Sequence, residues 1–583
     1  MRKVRATLVA MAIVALIPAS AGGQDVPGPT GKFDRPREGF AAANTLLRDG
    51  PPEQVGLDPA PIRAADGKIA KWTTVDPATG HPLFAGAVSL LAHDGVIVHR
   101  SQHGQALRYA DANGTELPAG QQVPMRPDTI FDMASISKLF TSITVMQLIE
   151  QGKVDVDAPV AKYLPEFGVN GKEAITVKQL LTHVSGLEPF LPLWRDWPDV
   201  PSRIKAVMDV APKSVPGTTY VYSDLNLITL GVLVERITGS TLDTAVRTKI
   251  TEPLGMRDTG YNPPPSKLDR IAATEFQSNP PRGMVRGSVH DENAWSLGGV
   301  AGHAGVFSTA RDMATLAQTI LNGGSYAGQR ILGQDAVTAM LTNHNQNFPD
   351  NSHGLGFELD QRWYMGGLAG PRTAGHTGFT GTSLVIDPAS RSFAILLTNR
   401  VHPTRGWGSI NLARETIATG LANALSVTPK RGYNAHYTGI GDQSTATLDT
   451  VALTPRGGPV GVRFQAFVDT ENTDQLVLES SVDGVTFTPV PVRASGPGAP
   501  DGDVPALAGA GHRRWWSVSA EVAEALPEGT SITFRWRFTT DRRYTGRGVY
   551  VDGIKVTDGS GTLLDGEKEP VLLRPRGWET RTR

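Results

Sequence analysis

The spacing of apolar positions changes rhythm along the chain, and the change divides it. From Phe84 to His99 two apolar runs flank His93-Asp94-Gly95. Asp-Gly between two such runs is a strong tight-turn signal, so a β-hairpin is expected there. Between Ala134 and Gly152, Leu139, Ile143 and Met146 share one helical face, and Phe140, Leu148 and Ile149 widen it. So broad an apolar band predicts a helix buried over most of its circumference. Leu225 to Thr238 predicts a second such helix, and Thr382 to Asn399 a second hairpin turning at Asp-Pro-Ala-Ser. Beyond Ser426 the helical rhythm fades. The segments 445–454, 461–468, 475–492, 513–518, 531–539 and 548–557 alternate apolar and polar residues between turn clusters. Short strands at that spacing predict an all-β sandwich or jelly roll.

The expected organisation is an α+β domain over residues 44–425, a linker at 426–437 and a β-sandwich accessory domain at 438–583. The Pro- and Gly-containing linker predicts two separable modules. Residues 22–43, rich in Gly, Pro and charge, read as a flexible lead-in. Ahead of them, Arg2, Lys3 and Arg5 precede an apolar stretch from Ala6 to Ile17, and Ala19-Ser20-Ala21 offers small residues for cleavage. This is the pattern of a signal peptide over residues 1–21. The apolar run is shorter than the roughly 20 residues that span a bilayer. Export to the periplasm or the medium is therefore expected, with no membrane span in the mature chain.

Composition narrows the chemistry. The chain has 583 residues, 56 basic and 57 acidic, for a net charge of −1, so no basic excess points to nucleic acid. It contains no cysteine, which removes disulfides, thiol catalysis and cysteine metal sites.

Three short motifs carry candidate chemistry. Ser135 and Lys138 stand three apart at the start of the first buried helix, on one face. A serine hydroxyl becomes a nucleophile when a neighbour takes its proton, and a desolvated lysine is able to do so. Tyr222-Ser223-Asp224 precedes the second apolar helix, and a tyrosine held between cations can act as general base. His376-Thr377-Gly378 opens a Gly-rich strand on which the Phe379 amide would join that of Ser135 as an oxyanion hole. Taken singly, each motif has an ordinary structural explanation, such as a helix cap or an edge strand.

Together, in this order and on helix, loop and strand, they resemble the penicillin-recognising serine hydrolases: class C β-lactamases, DD-carboxypeptidases and family VIII esterases. LLTHVSGL at 180–187 and GGVAGHAGVFSTARDMA at 298–314 also resemble recurrent segments of that group. The resemblance implies an antiparallel sheet flanked by helices plus a helical subdomain. It implies Ser135 as nucleophile, Lys138 as its proton partner and Tyr222 as general base. Asp224, His376, Thr377, Gly378 and Phe379 would line the substrate site, with no cofactor and no catalytic metal. Two departures stand out. Asp224 replaces the usual Asn and, when ionised, only accepts hydrogen bonds. His376 replaces the usual Lys, which argues against vigorous β-lactamase action. The implied activity is acyl-enzyme hydrolysis of a D-alanyl peptide or related amide or ester, with cell-wall peptide among the candidate partners. A carboxylesterase on small esters and a non-catalytic cell-wall-binding module are the alternatives.

Other residues read as supporting. His290, Asp291 and Glu292 lack a second His at metal-ligand spacing, so hydrogen bonding or lining a site is expected of them. His183 and His303 sit in Gly/Ser-rich turns and read as structural. No G-x-S-x-G elbow occurs; GGSYAG at 323–328 is out of register. The C-terminal region resembles MAM-like or jelly-roll modules. Its Trp515, Trp516, Trp536 and Tyr550 are expected to be core in preference to a sugar-stacking platform. Asp469, Glu471 and Asp552 would suit a calcium site or simply stay solvated.

Overall fold

The computed structural model describes residues 31–522, 526–527, 529–542 and 546–582. The expected signal peptide lies outside them. No helix among the described residues is long and apolar enough to cross a membrane.

Helix α1 (Pro59–Lys71) starts where Asp58 caps it by accepting from the Ala60 amide at 2.9 Å, with Pro59 in the first turn. Strands β1 (Gly86–His93) and β2 (Val96–Leu107) form the first hairpin. Asp94 and Gly95 both have positive φ (48° and 78°), as a tight two-residue turn requires. Helices α2 (Ser137–Glu150) and α3 (Asp224–Thr238) follow, the latter stopped by Gly239 at φ 68°. Strands β3 (Ala374–Gly378), β4 (Thr382–Asp387) and β5 (Ser392–Thr398) complete an antiparallel sheet, and α4 (Asn411–Ala424) closes the catalytic part. The main strands lie in the order β2-β1-β5-β4-β3.

Alternation sends the two faces of this sheet into different cores. Ala87, Leu91, Val385 and Leu396 pack against Ile62, Ile69, Ile417 and Leu421 of α1 and α4. Val88, Leu90, Leu384 and Ile395 face Ile136, Phe140 and the helical side of the molecule. Helix α2 is buried from Ser137 to Leu148, which is what its wide apolar band demands. Strand β3 lies near the sheet's edge. Only Ala374 and Gly375 pair outward, with Leu359 and Glu358, so the stretch from His376 to Gly378 has no strand on that side.

The C-terminal region is two antiparallel sheets around one core. Val460–Asp469 and Gly548–Asp558 are central in one, Gln475–Ser481 and Thr533–Thr539 in the other. Phe464, Trp516, Trp536, Phe534 and Phe538 meet between them. Trp516 and Trp536 are thus core, and Tyr550 is buried; none forms a sugar platform. Trp515 turns the other way, and its indole N–H donates to the Thr428 carbonyl.

The joint between the two parts departs from the expected free linker and flexible lead-in. Ser426, Val427, Ala435 and Tyr437 are buried, and the Asp552 carboxylate accepts from the amides of Lys430 and Arg431. Phe33, 1% exposed, lies between the guanidinium groups of Arg513 and Arg547, 4.3 and 4.6 Å from its ring centre. Arg513 reaches Asp387 of β4 at 2.5 Å and the Leu368 carbonyl at 2.7 Å. Arg547 donates to the carbonyls of Ala422 and Leu425 at the end of α4. A short polar connection does not imply separable modules when buried arginines bridge it.

Candidate active site

Ser135 sits in a 3-10 turn that runs straight into α2. The preceding Ala134 has φ 46°, a strained conformation for a residue with a Cβ. Buried Asp132 holds it, accepting from the Ala134 amide at 2.8 Å and from the His290 amide at 2.6 Å. From the other side, Thr380 and Thr382 donate to the carbonyls of Asp132 and Met133. Gly378 packs against this turn so closely that a Cβ would stand 2.4 Å from the Met133 carbonyl oxygen. Only glycine lets β3 come this near, and the approach brings Ser135, Gly378 and Phe379 into one cleft.

Lys138 is 1% exposed. Its ammonium reaches Ser135 Oγ at 2.9 Å, the His303 carbonyl at 3.2 Å and Asp224 Oδ1 at 2.8 Å. Burial works against this charge, but Asp224 and then Tyr222 outweigh it and hold the ammonium above the ordinary lysine value. As an ammonium, Lys138 donates to Ser135 and does not take its proton. The Tyr222 hydroxyl is in hydrogen-bond contact with both Ser135 and Lys138. Burial pushes it up to about 12 although the neighbouring ammonium lowers it, so the tyrosine expected as general base is protonated at rest. The resting cluster carries one proton too many for attack by serine.

The residues around this centre do more than the sequence suggested. His183 accepts from the Ser223 amide at 3.1 Å and lies against the Tyr222 ring, at 4.6 Å between centres. Burial holds it well below the usual imidazole value, so it stays neutral and presents that lone pair. Ser223 makes no side-chain cap; its hydroxyl donates to the Glu188 carbonyl. His303 holds Asp291 at 2.9 Å, and Asp291 is kept ionised because His303 offsets the cost of its burial. The His290 ring donates to Glu275 and stacks on Phe379.

The cleft measures about 640 Å³ and is lined by Ser135, Tyr222, His376, Thr377, Gly378 and Phe379. His376 is 1% exposed and is pushed down to about 3, by burial first and Lys138 second. It is therefore neutral and supplies no cation for a substrate carboxylate. The positive charge comes from residues the motifs did not include: Arg400, Arg405 and Arg414. Arg405 is engaged by Glu275 and Glu292. Arg414 donates to the Gly378 carbonyl at 2.6 Å. Burial and then Arg400 lower it to about 10, which leaves it charged at neutral pH. A lone arginine among the apolar positions of α4 was the one signal available for it. Glu358, also in the wall, is pushed up to about 7 by burial.

The Beta-lactamase family profile matches residues 74–418, more than half of the chain. The chain belongs to the beta-lactamase family. Every motif residue named above lies inside the matched stretch. Two relatives, from Salmonella enteritidis PT4 and Salmonella schwarzengrund, are each 34% identical over 399 residues, with 62% of this chain and 88% of theirs covered. Both carry the provisional name D-alanyl-D-alanine carboxypeptidase. A penicillin-binding protein homolog of known structure from Caulobacter crescentus aligns with a TM-score of 0.48 at 24% identity, covering 63% of this chain and 98% of its own. Within the beta-lactamase family, the chain is a serine hydrolase.

Proposed function

We propose that this beta-lactamase family member is exported and cleaves a carboxylate-bearing acyl substrate, a D-alanyl peptide in class, through an acyl-enzyme on Ser135. The carrying observation is the pair of guanidinium groups, Arg400 and Arg414, in the wall of the cleft that holds Ser135, since Arg405 is already engaged by Glu275 and Glu292. A substrate ending in a carboxylate would be drawn against them and laid along the open side of β3, with its scissile carbonyl at Ser135. Ser135 attacks once the Tyr222–Lys138 pair has given up a proton, and its own proton passes to that pair. The amides of Ser135 and Phe379 would receive the oxyanion. The pair then returns the proton to the leaving group, and water reverses the sequence to release the acid. Export rests on the basic and apolar pattern of the first 21 residues.

One observation favours a second reading. Asp224 is committed to Lys138 and, ionised, has no proton to offer an amide carbonyl. An ester needs such a donor less, which supports carboxylesterase activity in the same site. The deciding experiment gives the purified chain a diacylated Lys-D-Ala-D-Ala peptide and p-nitrophenyl acetate. Release of D-alanine supports the peptidase reading, and turnover of the ester alone supports the esterase. Turnover of neither, with the peptide still bound, would leave a binding module and contradict the proposal.

A further inference from the structure

The accessory region contains a site that the hydrolytic chemistry does not use. Val460–Asp469 ends in the turn Thr470–Asp474, and Asp541 lies just past the end of Thr533–Thr539. The pairing of Gln475 with Thr539 in the second sheet brings Asp474 and Asp541 together beside Glu471, and each of the three offers a carboxylate oxygen within 4.8 Å of the others. Backbone contacts fix the arrangement. The Thr470 hydroxyl donates to the carbonyls of Glu471 and Asp474, and the Asp541 amide donates to Asp474 Oδ1 at 2.9 Å.

One oxygen each of Asp474 and Glu471 is left unsatisfied among the described residues. Asp474 is fully buried, and its Oδ2 has no hydrogen-bond donor among the described residues. The same is true of the buried Oε1 of Glu471. A carboxylate oxygen out of water without a donor is costly, and native proteins rarely leave one so. Burial first, and then the neighbouring carboxylates, push Glu471 up to about 7 and Asp474 up to about 6. The site gathers three carboxylates around one that is fully buried, with Glu471 half-buried and Asp541 at the surface.

We propose that Glu471, Asp474 and Asp541 bind a hard divalent cation of the calcium type. The donor set is entirely oxygen, without the His or Cys that would favour a softer metal. Calcium accepts six to eight oxygens in loose geometry at about 2.3–2.6 Å, a tolerance that suits a turn and a strand end supplying three carboxylates. Water fills the remaining positions. Of the three acidic residues singled out in the sequence, only Glu471 belongs to this site. Asp552 is spent on the amides of Lys430 and Arg431, and Asp469 Oδ2 on the Arg547 amide. The cation would tie the 470–474 turn to residue 541, six positions before the Arg547 that grips α4. This inference is independent of the acyl-enzyme reading.

The test uses the full chain, stripped with EDTA and titrated with calcium chloride, with magnesium chloride as comparison and ionic strength held by potassium chloride. Saturable 1:1 binding by calorimetry is expected, with a thermal midpoint that rises several degrees as calcium is added. Asp474→Asn should weaken calcium affinity at least tenfold while leaving the EDTA-treated protein no less stable, because it removes a repulsion. Glu471→Gln, at a half-buried position, makes the same test should Asp474→Asn fail to fold. Absence of saturable binding to the intact chain would overturn the proposal. So would a calcium response unchanged in the variant that folds.

Discussion

Replacing Arg513 by Met tests how far the accessory region is part of the enzyme's own fold. The Arg513 and Asp387 side chains are 6% and 0% exposed, and their ends lie 2.5 Å apart. Met keeps much of the side chain's volume and its packing near Phe33, but leaves Asp387 with Ser390 and Thr373 as its hydrogen-bond donors among the described residues. Removing one member of a buried pair costs about 3–5 kcal/mol, because the other charge stays out of water. At roughly 2–4 °C per kcal/mol, that lowers the midpoint of the catalytic domain by about 10 °C. The assay is thermal inactivation of ester turnover, which reports on the catalytic part although the substitution is in the β region. Asp387→Asn combined with Arg513→Met should cost less than the sum of the two single changes, since the stranded charge is gone. An unchanged midpoint in Arg513→Met, or strict additivity in the pair, would refute the claim that this contact joins the two parts. A chain ending at residue 430 loses Arg513 and Arg547 together and should aggregate.

Asp224→Asn should shift the rise of kcat/KM with pH toward lower pH, because losing the anion beside Lys138 disfavours its ammonium; it should also raise penicillin acylation relative to ester cleavage. A profile that stays put or moves upward, read by stopped-flow acylation across pH, contradicts the role given to Asp224. Arg400→Ala should raise KM for a substrate with a terminal carboxylate about tenfold, the value of one hydrogen bond to a charged group, and leave p-nitrophenyl acetate unaffected; equal effects on both substrates would remove Arg400 from carboxylate recognition. Glu275 is held down at about 2, since His290 and Arg405 outweigh its burial. Its ionised form therefore stabilises the fold above the ordinary Glu value, and that contribution is lost as pH falls through about 4 to 2. Glu275→Gln should thus destabilise at pH 7 and match the parent near pH 2, as followed by urea unfolding; a constant difference at both pH values would contradict this.

What the sequence revealed was local. The two hairpins followed from Asp-Gly and Asp-Pro-Ala-Ser between apolar runs, and α2 from a band of apolar residues wide enough to be buried on all sides. The reactive centre was visible for a similar reason: Ser135 and Lys138 are one turn apart on one helix, and Asp224 was legible as a group that only accepts hydrogen bonds. The electrostatic balance was not. Tyr222 and His376 are set by how completely they are buried, which three-residue motifs do not record. The interdomain joint was hidden because Arg513 on an alternating strand and Arg547 just ahead of another occupy positions that read as solvent-facing. Nothing near Phe33 in the chain announces two guanidinium groups from residues roughly 500 positions away.

The central claim, an acyl-enzyme on Ser135, is tested most directly by mass spectrometry of the intact chain after brief exposure to a fluorescent penicillin. The account predicts one covalent adduct per chain, mapped to the peptide containing Ser135, absent in Ser135→Ala and nearly absent in Lys138→Ala, with Ser135→Ala folded as the parent is. An adduct that persists in Ser135→Ala, or maps to another residue, would contradict it.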